Sequence, residues 1–206
     1  MTDAPPERLY LVTAQSLEPE VFAPTLAAAL AALPVACVRL DLGGAEEDMW
    51  RRAANHLIEP CHAADVALII TDHYRLVEPL GLDGVHLTGR ASVRDVRKAL
   101  GRDRIVGAFA GSSRHDGMVL AEAGADYVAF GPVGETGALG DETRAEDDLF
   151  TWWAEMIETQ SVAEGGVSPE DAARLADAAD FIVPDRRVWD GDDPVAALTA
   201  YAAALS

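Results

Sequence analysis

The sequence predicts an α/β protein that folds as a single-domain (β/α)8 TIM barrel. Short apolar runs of strand type alternate strictly with segments of helical periodicity along the 206 residues. These runs are continuously apolar, which is typical of parallel strands buried on both faces. A closed barrel uses all of the runs as strands. An open doubly wound sheet needs a glycine-rich fingerprint after the first strand, and residues 14–17 lack one.

The predicted elements follow one another without a linker. The strands are 9–13, 35–40, 66–71, 84–87, 105–110, 127–131, 161–163 and 181–183. The helices are 19–33, 46–58, 92–100, 115–123, 147–158, 169–178 and 194–205, with at most two helical turns over 74–80. Ser92 and Ser168 stand where helix-capping hydroxyls are expected. Because no break in composition divides the chain, we expect one domain over residues 1–206.

The charge balance excludes some classes of partner. The chain has 35 acidic and 16 basic residues, a formal net charge of -19, so nucleic acid and anionic membranes are not expected partners. The same charge repels diphosphates unless a basic patch or a divalent metal intervenes. Cys37 and Cys61 are too few for a disulfide framework, which favours a cytoplasmic location. Neither a signal peptide nor a membrane span is predicted.

In a TIM barrel the functional site lies at the carboxyl ends of the strands. The residues predicted there are Thr13, Asp41, Asp72, His73, His86, Thr88, Ser112, Ser113, the segments 131–140 and 164–166, and Asp185 to Arg187. The segment 129–141, AFGPVGETGALGD, is rich in glycine but contains no lysine. A loop of this kind suits an anion, yet its only charged groups are Glu135 and Asp141.

The segment EGGVSPE at 164–170 predicts phosphate binding. Gly165 and Gly166 allow a ligand to approach the backbone closely, and the following helix directs free amides toward it. Arg186 and Arg187 after the last strand add cations at the same end. The alternative, that the glycines only permit a turn and the arginines are solvated, is equally compatible with the local pattern.

Two titratable residues are candidates for chemistry. Asp72 could ligate a divalent metal or cap a helix, and the end of the fourth strand, residues 87–91, supplies no second carboxylate for a metal. His86 lies within a strand, where it is either a hydrogen-bonded core residue or an inward-facing acid or base. Because no partner is evident in the sequence, the core interpretation is favoured.

Several motifs together resemble thiamine-phosphate synthase and its sister family, the thiazole tautomerases. They are LYLVT at 9–13, ALIITD at 67–72, DGVHL at 83–87, EAGADYVAFGPV at 122–133, EGGVSPEDAARL at 164–175 and DP at 193–194. The resemblance implies a barrel that usually self-associates, here a homodimer, and that handles a small phosphorylated heterocycle. The synthase joins thiazole phosphate to hydroxymethylpyrimidine diphosphate with Mg²⁺ and releases pyrophosphate.

The resemblance also implies residue roles. Asp72 would hold Mg²⁺, Thr136 would contact the diphosphate, and Gly165 and Gly166 would bind the thiazole phosphate. At the eighth strand, where the family has small residues and a serine, Arg186 or Arg187 would replace a lost phosphate contact. The chain departs from the family pattern at Asp41, where the family has a base, at Ala91, where it has a metal aspartate, and after Thr136, where its lysine is absent.

Three hypotheses of function follow. The first is a synthase of this family. The second is a metal-independent thiazole-phosphate isomerase in which His86 or Glu164 carries the proton. The third is a non-catalytic barrel that binds a phosphorylated ligand.

Overall fold

The computed structural model describes residues 7–89, 91–135, 139–140 and 143–205. In this part of the chain each parallel strand pairs with the next, and the eighth pairs with the first to close a barrel. The strands are β1 (Leu9–Val12), β2 (Val35–Leu40), β3 (Ala67–Thr71), β4 (Gly84–Leu87), β5 (Ile105–Phe109), β6 (Tyr127–Phe130), β7 (Gln160–Val167) and β8 (Phe181–Pro184). The predicted (β/α)8 barrel is confirmed.

The helices surround the barrel. They are α1 (Pro19–Ala32), α2 (Glu47–Ala63), α3 (Val77–Leu80), α4 (Val93–Leu100), α5 (Arg114–Glu122), α6 (Asp147–Met156), α7 (Pro169–Leu175) and α8 (Pro194–Ala204). Short 3-10 turns cover Tyr74–Leu76 and Arg186–Asp190. Among the described residues, no helix is both long enough and apolar enough to cross a membrane.

Strand side chains alternate between two buried layers. Leu9 and Leu11 of β1 pack in the layer beneath the helices, whereas Tyr10 and Val12 pack inside the barrel. This period of two is a property of strands. Residues that occupy interior positions at the carboxyl end of a strand therefore point into the barrel, close to the predicted site.

Two elements end four or five residues beyond their predicted bounds, whereas the other predicted ends differ by at most three residues. Helix α2 runs past Pro60 to Ala63 instead of ending at 58. An interior proline costs about 3 kcal/mol, but Leu57 and Cys61, one turn apart, are fully buried and hold the last turn against the barrel. Strand β7 extends beyond 163 because Val167 pairs with Pro184 after a register shift. Glu164 is therefore part of a strand.

The two predicted caps are confirmed. The Ser92 hydroxyl accepts a hydrogen bond from the amide of Asp95 at 3.4 Å. The Ser168 hydroxyl accepts from the amide of Asp171 at 3.1 Å, and the Asp171 carboxylate accepts from the amide of Ser168 at 3.0 Å. Cys37 and Cys61 are both buried and free.

Gly107 on β5 makes room for a ring inside the barrel. A Cβ at this position would lie 1.9 Å from Cζ of Tyr127. We expect Gly107→Ala to lower the free energy of unfolding by about 1–3 kcal/mol, because the Tyr127 ring must shift within a packed interior. Urea unfolding monitored by circular dichroism measures the loss.

Gly44→Ala is the matched control, because a Cβ there meets nothing within 4 Å. Its unfolding free energy should stay within about 0.5 kcal/mol of the wild-type value. Equal stability of the two variants would contradict the proposed crowding at Gly107.

Candidate active site

A cavity of about 420 Å³ opens at the carboxyl ends of the strands. Five of the seven residues that were assigned a catalytic, phosphate-binding or metal-binding role line it: Asp72, Glu164, Gly165, Gly166 and Arg186. His86 lies below the cavity, fully buried in the barrel interior. Thr136 lies outside the described residues. The structure thus brings the ends of β3, β7 and β8 together around one space, and the roles assigned to these residues remain predictions.

An ion pair forms the base of the cavity. Nη2 of Arg39, on β2, lies 2.6 Å from Oε2 of Glu164, on β7. Arg39 is 4 % exposed and Glu164 is 2 % exposed. Although burial disfavours the charged guanidinium, the Glu164 carboxylate and the hydroxyls of Tyr10 and Tyr127 raise the pKa of Arg39 above its usual value. Arg39 therefore keeps its positive charge, and the Glu164 carboxylate lies against it as the counter-charge.

The sequence interpretation missed Arg39. It lies in the apolar run VACVRL, and its position in the strand is the signal that could have identified it. Arg39 follows the inward-facing Cys37 by two residues, so its side chain also points into the barrel. A charge at an interior strand position needs a partner of opposite charge. Glu164 is the acid at the corresponding height of β7.

A chain of hydrogen bonds runs below this ion pair. The hydroxyls of Tyr10 and Tyr127 are 2.7 Å apart, and the Tyr127 hydroxyl lies 2.9 Å from Nδ1 of His86. The other imidazole nitrogen, Nε2, lies 3.7 Å from Oε1 of Glu164. Because a carboxylate only accepts, this arrangement favours a proton on Nε2, a lone pair on Nδ1 that accepts from Tyr127, and a Tyr127 oxygen that accepts from Tyr10.

Burial keeps His86 neutral. Removal from water lowers the pKa of His86 well below its usual value, and the nearby positive charge of Arg39 lowers it further. Burial likewise raises the pKa of Tyr127. The chain therefore consists of neutral groups that end at the carboxylate of Glu164, and His86 is a hydrogen-bonded core residue with its second nitrogen directed toward the cavity base.

Asp72 is held in an unusual backbone conformation at the cavity wall. Its φ angle is 57°, in the left-handed region that non-glycine residues rarely adopt. One carboxylate oxygen accepts from the amide of Thr88 at 2.8 Å and the other accepts from the Thr88 hydroxyl. No side chain caps the helical turn that follows. The carboxylate is thus fixed between the ends of β3 and β4, at the cavity wall.

Arg186 crosses the cavity mouth, whereas Arg187 points away from it. The Arg186 guanidinium donates to the carbonyl oxygens of Thr13 and Asp41, each at 2.8 Å, and to the Asp41 carboxylate at 3.2 Å. Burial lowers the pKa of Arg186, and the Asp41 carboxylate opposes that shift. Arg187 pairs with Asp185, and its side chain is 76 % exposed. One cation of the two therefore belongs to the site.

Gly165 and Gly166 are required by close backbone packing. Their φ angles are 86° and 66°. The segment after β6 lies against them, since the amide of Gly134 donates to the carbonyl of Gly165 at 2.8 Å. A Cβ on Gly166 would lie 2.6 Å from the carbonyl oxygen of Glu135. The two glycines therefore allow the loop after β6 to pack directly against the end of β7, and this structural role is independent of any ligand.

Charge within the cavity is mixed. Two lining cations, Arg39 and Arg186, face four lining acids, Asp41, Asp72, Glu164 and Asp185. Among the described residues, no group of three His, Cys, Asp or Glu side chains is arranged to hold a metal ion.

The fold and the position of the cavity define a TIM-barrel protein with a charged site at the carboxyl ends of its strands. Residues 9–183 match the family model described as thiamine monophosphate synthase, and the chain belongs to this family.

Similar proteins agree with this assignment. A thiamine-phosphate synthase of Rhodospirillum centenum is 44 % identical over 191 residues, which cover 92 % of this chain and 91 % of that protein. Another, of Erythrobacter litoralis, is 36 % identical over 172 residues, 82 % of this chain and 80 % of the relative. A solved structure, a thiamine phosphate pyrophosphorylase from Pyrococcus furiosus, superimposes with a TM-score of 0.85 at 19 % identity, covering 97 % of this chain and 95 % of that one.

We expect Arg39→Met to be strongly destabilising. The substitution leaves the Glu164 carboxylate buried without its counter-charge, which typically costs about 3–5 kcal/mol. The double variant Arg39→Met with Glu164→Met removes both charges and should recover most of the loss. Urea unfolding of the wild type and both variants measures the difference. An Arg39→Met protein as stable as the wild type would show that the pair contributes little.

The low pKa of His86 predicts a specific pH dependence. At pH values between that lowered pKa and about 6.5, the unfolded chain binds a proton at His86 and the folded protein does not. The stability that neutral His86 supplies is therefore lost as pH falls below about 6.5. We expect the stability difference between the wild type and His86→Gln to shrink by up to about 1.4 kcal/mol per pH unit in this range.

Urea unfolding at pH 7, 6 and 5 measures this difference. The exposed His115 provides the matched control, His115→Gln. A difference between the wild type and His86→Gln that stays constant across the three pH values would contradict a buried neutral imidazole.

Proposed function

We propose that the protein is a thiamine-phosphate synthase that joins hydroxymethylpyrimidine diphosphate to thiazole phosphate and releases pyrophosphate. One observation carries the proposal: Asp72, Gly165, Gly166 and Arg186, which the resemblance assigns to metal and phosphate, line a single cavity in a member of this family. The relatives from Rhodospirillum centenum and Erythrobacter litoralis bear the synthase name.

Arg186 suits the phosphate end of the ligand. A guanidinium has five N–H donors, and three of them are used on Thr13 and Asp41. The remaining two are available to phosphate oxygens beside Gly165 and Gly166. A charge-assisted hydrogen bond of this kind contributes about 1.5–3 kcal/mol. Arg186 would thus supply part of what the chain lost where Asp41 replaced a base.

Asp72 suits a Mg²⁺ ion that is shared with the diphosphate. Each of its oxygens accepts one hydrogen bond and keeps a further lone pair, and Mg²⁺ is commonly held by one or two carboxylates plus substrate phosphates. A bound ion would offset the repulsion between the diphosphate and the acids around it. Ala91 contributes no second carboxylate, so the substrate oxygens and water must complete the coordination. Thr136 keeps its proposed place on the diphosphate.

The homodimer and the cytoplasmic location belong to the same proposal. Helix α6 supports self-association, because Met156 is 63 % exposed and lies one turn from the partly exposed Trp152. Apolar side chains at that spacing occupy one face of a helix.

Incubation of the protein with both substrates and Mg²⁺ tests the activity. We expect thiamine phosphate and pyrophosphate to form in equal amounts, and Asp72→Asn to raise the Mg²⁺ concentration for half-maximal rate by at least tenfold, since it removes the charged ligand. Asp177→Asn, at an exposed position outside the cavity, is the matched control. Absence of product at every Mg²⁺ concentration would exclude the synthase.

The isomerase hypothesis has one specific observation in its favour. Oε1 of Glu164, in the cavity wall, has no hydrogen-bond partner and could accept a proton. Metal-free exchange of a thiazole-phosphate proton with deuterium oxide, lost in Glu164→Gln, would support it. Exchange that persists in both Glu164→Gln and His86→Gln would count against both proton carriers, and ligand binding without either reaction would leave the non-catalytic barrel.

A further inference from the structure

Helix α4 and the turn after it carry cations that have no partner within the chain. Among the described residues, four basic side chains make neither an ion pair nor a hydrogen bond, although the chain has 35 acidic and 16 basic residues. The other described arginines each contact an acid, a carbonyl oxygen or a hydroxyl, as Arg97 contacts Asp126. Unpaired cations on one element of so acidic a protein indicate a surface that meets an acidic partner. They are Arg94, Lys98, Arg102 and Arg104.

Two of these cations lie on the side of α4 that borders α5. The guanidinium of Arg97 donates to the carbonyl oxygen of Gly124, directly after α5, at 3.1 Å. Arg94 lies three residues before Arg97 and four before Lys98, and residues at these spacings share a face of a helix. Both Arg94 and Lys98 are exposed. We call these two residues the positive stripe.

Helix α6 borders α5 on its other side and carries acids alone. The Arg114 guanidinium of α5 lies 5.0 Å from the centre of the Trp152 ring of α6. Glu155 follows Trp152 by three residues, so it lies on the same side of α6, and Glu158 follows the end of the helix. Both glutamates are exposed, and we call them the negative stripe. Residues 146–158 contain five acids and neither lysine nor arginine.

The same face exposes apolar side chains. Val119 on α5 is 50 % exposed and Met156 on α6 is 63 % exposed. Among the described residues, the one other large apolar side chain that is at least half exposed is Val21 on α1. Apolar side chains beside complementary charges are typical of a surface that another protein covers.

The order of charges across this face is self-complementary. Helices of a (β/α)8 barrel run in the same direction, and α5 lies between α4 and α6 because their strands are neighbours in the sheet. A twofold axis along α5 places α4 of one copy against α6 of the other, at two equivalent contacts. Positive then meets negative at both, and Val119 lies near the axis. An axis across the helices would place α4 against α4, where like charges repel.

We propose that α4, α5 and α6 form the interface of a homodimer in which the positive stripe of each copy contacts the negative stripe of the other. The proposal rests on the homodimer of the proposed function, and it adds the surface, the axis and the charge pairs that make the association specific. A second copy is the occupant that the face itself specifies, because both members of each charge pair are present on it. The interface lies on the outside of the barrel, so the cavity mouth remains accessible in both copies.

Charge reversal tests the proposal by sedimentation velocity. The wild type should dimerise. Arg94→Glu with Lys98→Glu, and separately Glu155→Lys with Glu158→Lys, should each raise the dimer dissociation constant about tenfold or more, because like charges then meet at both contacts. An equimolar mixture of the two double variants should dimerise with a dissociation constant within about threefold of the wild-type value, since the reversed stripes complement each other.

Two control variants match the changes in net charge. Arg51→Glu with Arg52→Glu, on α2, is the control for reversal of the positive stripe. Glu170→Lys with Asp177→Lys is the control for reversal of the negative stripe. Each control lies at surface positions outside the face and should change the dissociation constant by no more than about twofold. Circular dichroism and unfolding curves establish that every variant is folded.

Three outcomes would overturn the proposal: a wild type that stays monomeric, a dimer that neither reversal weakens, and a mixture of the reversed variants that stays monomeric. A dimer that neither reversal weakens keeps the homodimer of the proposed function and loses this interface. Failure of the synthase assay is distinguishable, since sedimentation needs neither substrate nor Mg²⁺. A protein that dimerises as expected without turnover would lose the proposed activity and keep the interface.

Discussion

The arrangement of the barrel interior depends on the ion pair between Arg39 and Glu164. Two charges removed from water are stable together only if each compensates the other, and their desolvation makes a mispaired arrangement costly. The pair joins β2 to β7 across the barrel, between strands that are not neighbours in the sheet. It thereby fixes the height at which the polar base of the cavity meets the apolar interior.

Placement of the few cations explains how so acidic a chain could form the proposed phosphate site. In a chain with a net charge of -19, several of the 16 basic residues serve exposed ion pairs such as Arg51 with Glu47. Arg39 is neutralised by Glu164, and Arg186 is held at the mouth by Asp41. The two ends of the cavity therefore differ in character: the buried ion pair at the base carries no net charge, whereas the mouth carries the cation Arg186.

The barrel could be predicted from the sequence because strands and helices differ in the period of their apolar residues, which is a local property of the chain. The sequence predicted the site residues at strand ends for the same reason: Asp72, Gly165 and Arg186 follow apolar runs directly. It missed Arg39, which lies inside such a run and becomes part of the site only when β7 brings Glu164 to it. The partner of His86, Tyr127, is likewise 41 residues away, and no local pattern joins them.

The hydrogen-bond chain beneath the cavity has a direction, from the Tyr10 hydroxyl through Tyr127 and His86 toward Glu164. Tyr10 donates to Tyr127 and Tyr127 donates to His86, so a change at any of the three leaves a neighbour unsatisfied, and the other nitrogen of His86 faces Glu164 at 3.7 Å. The five residues, with Arg39 at the far side, thus form one connected set inside the barrel. Among relatives we expect the set to be kept or replaced together, which makes it a marker for the subgroup that shares this cavity base.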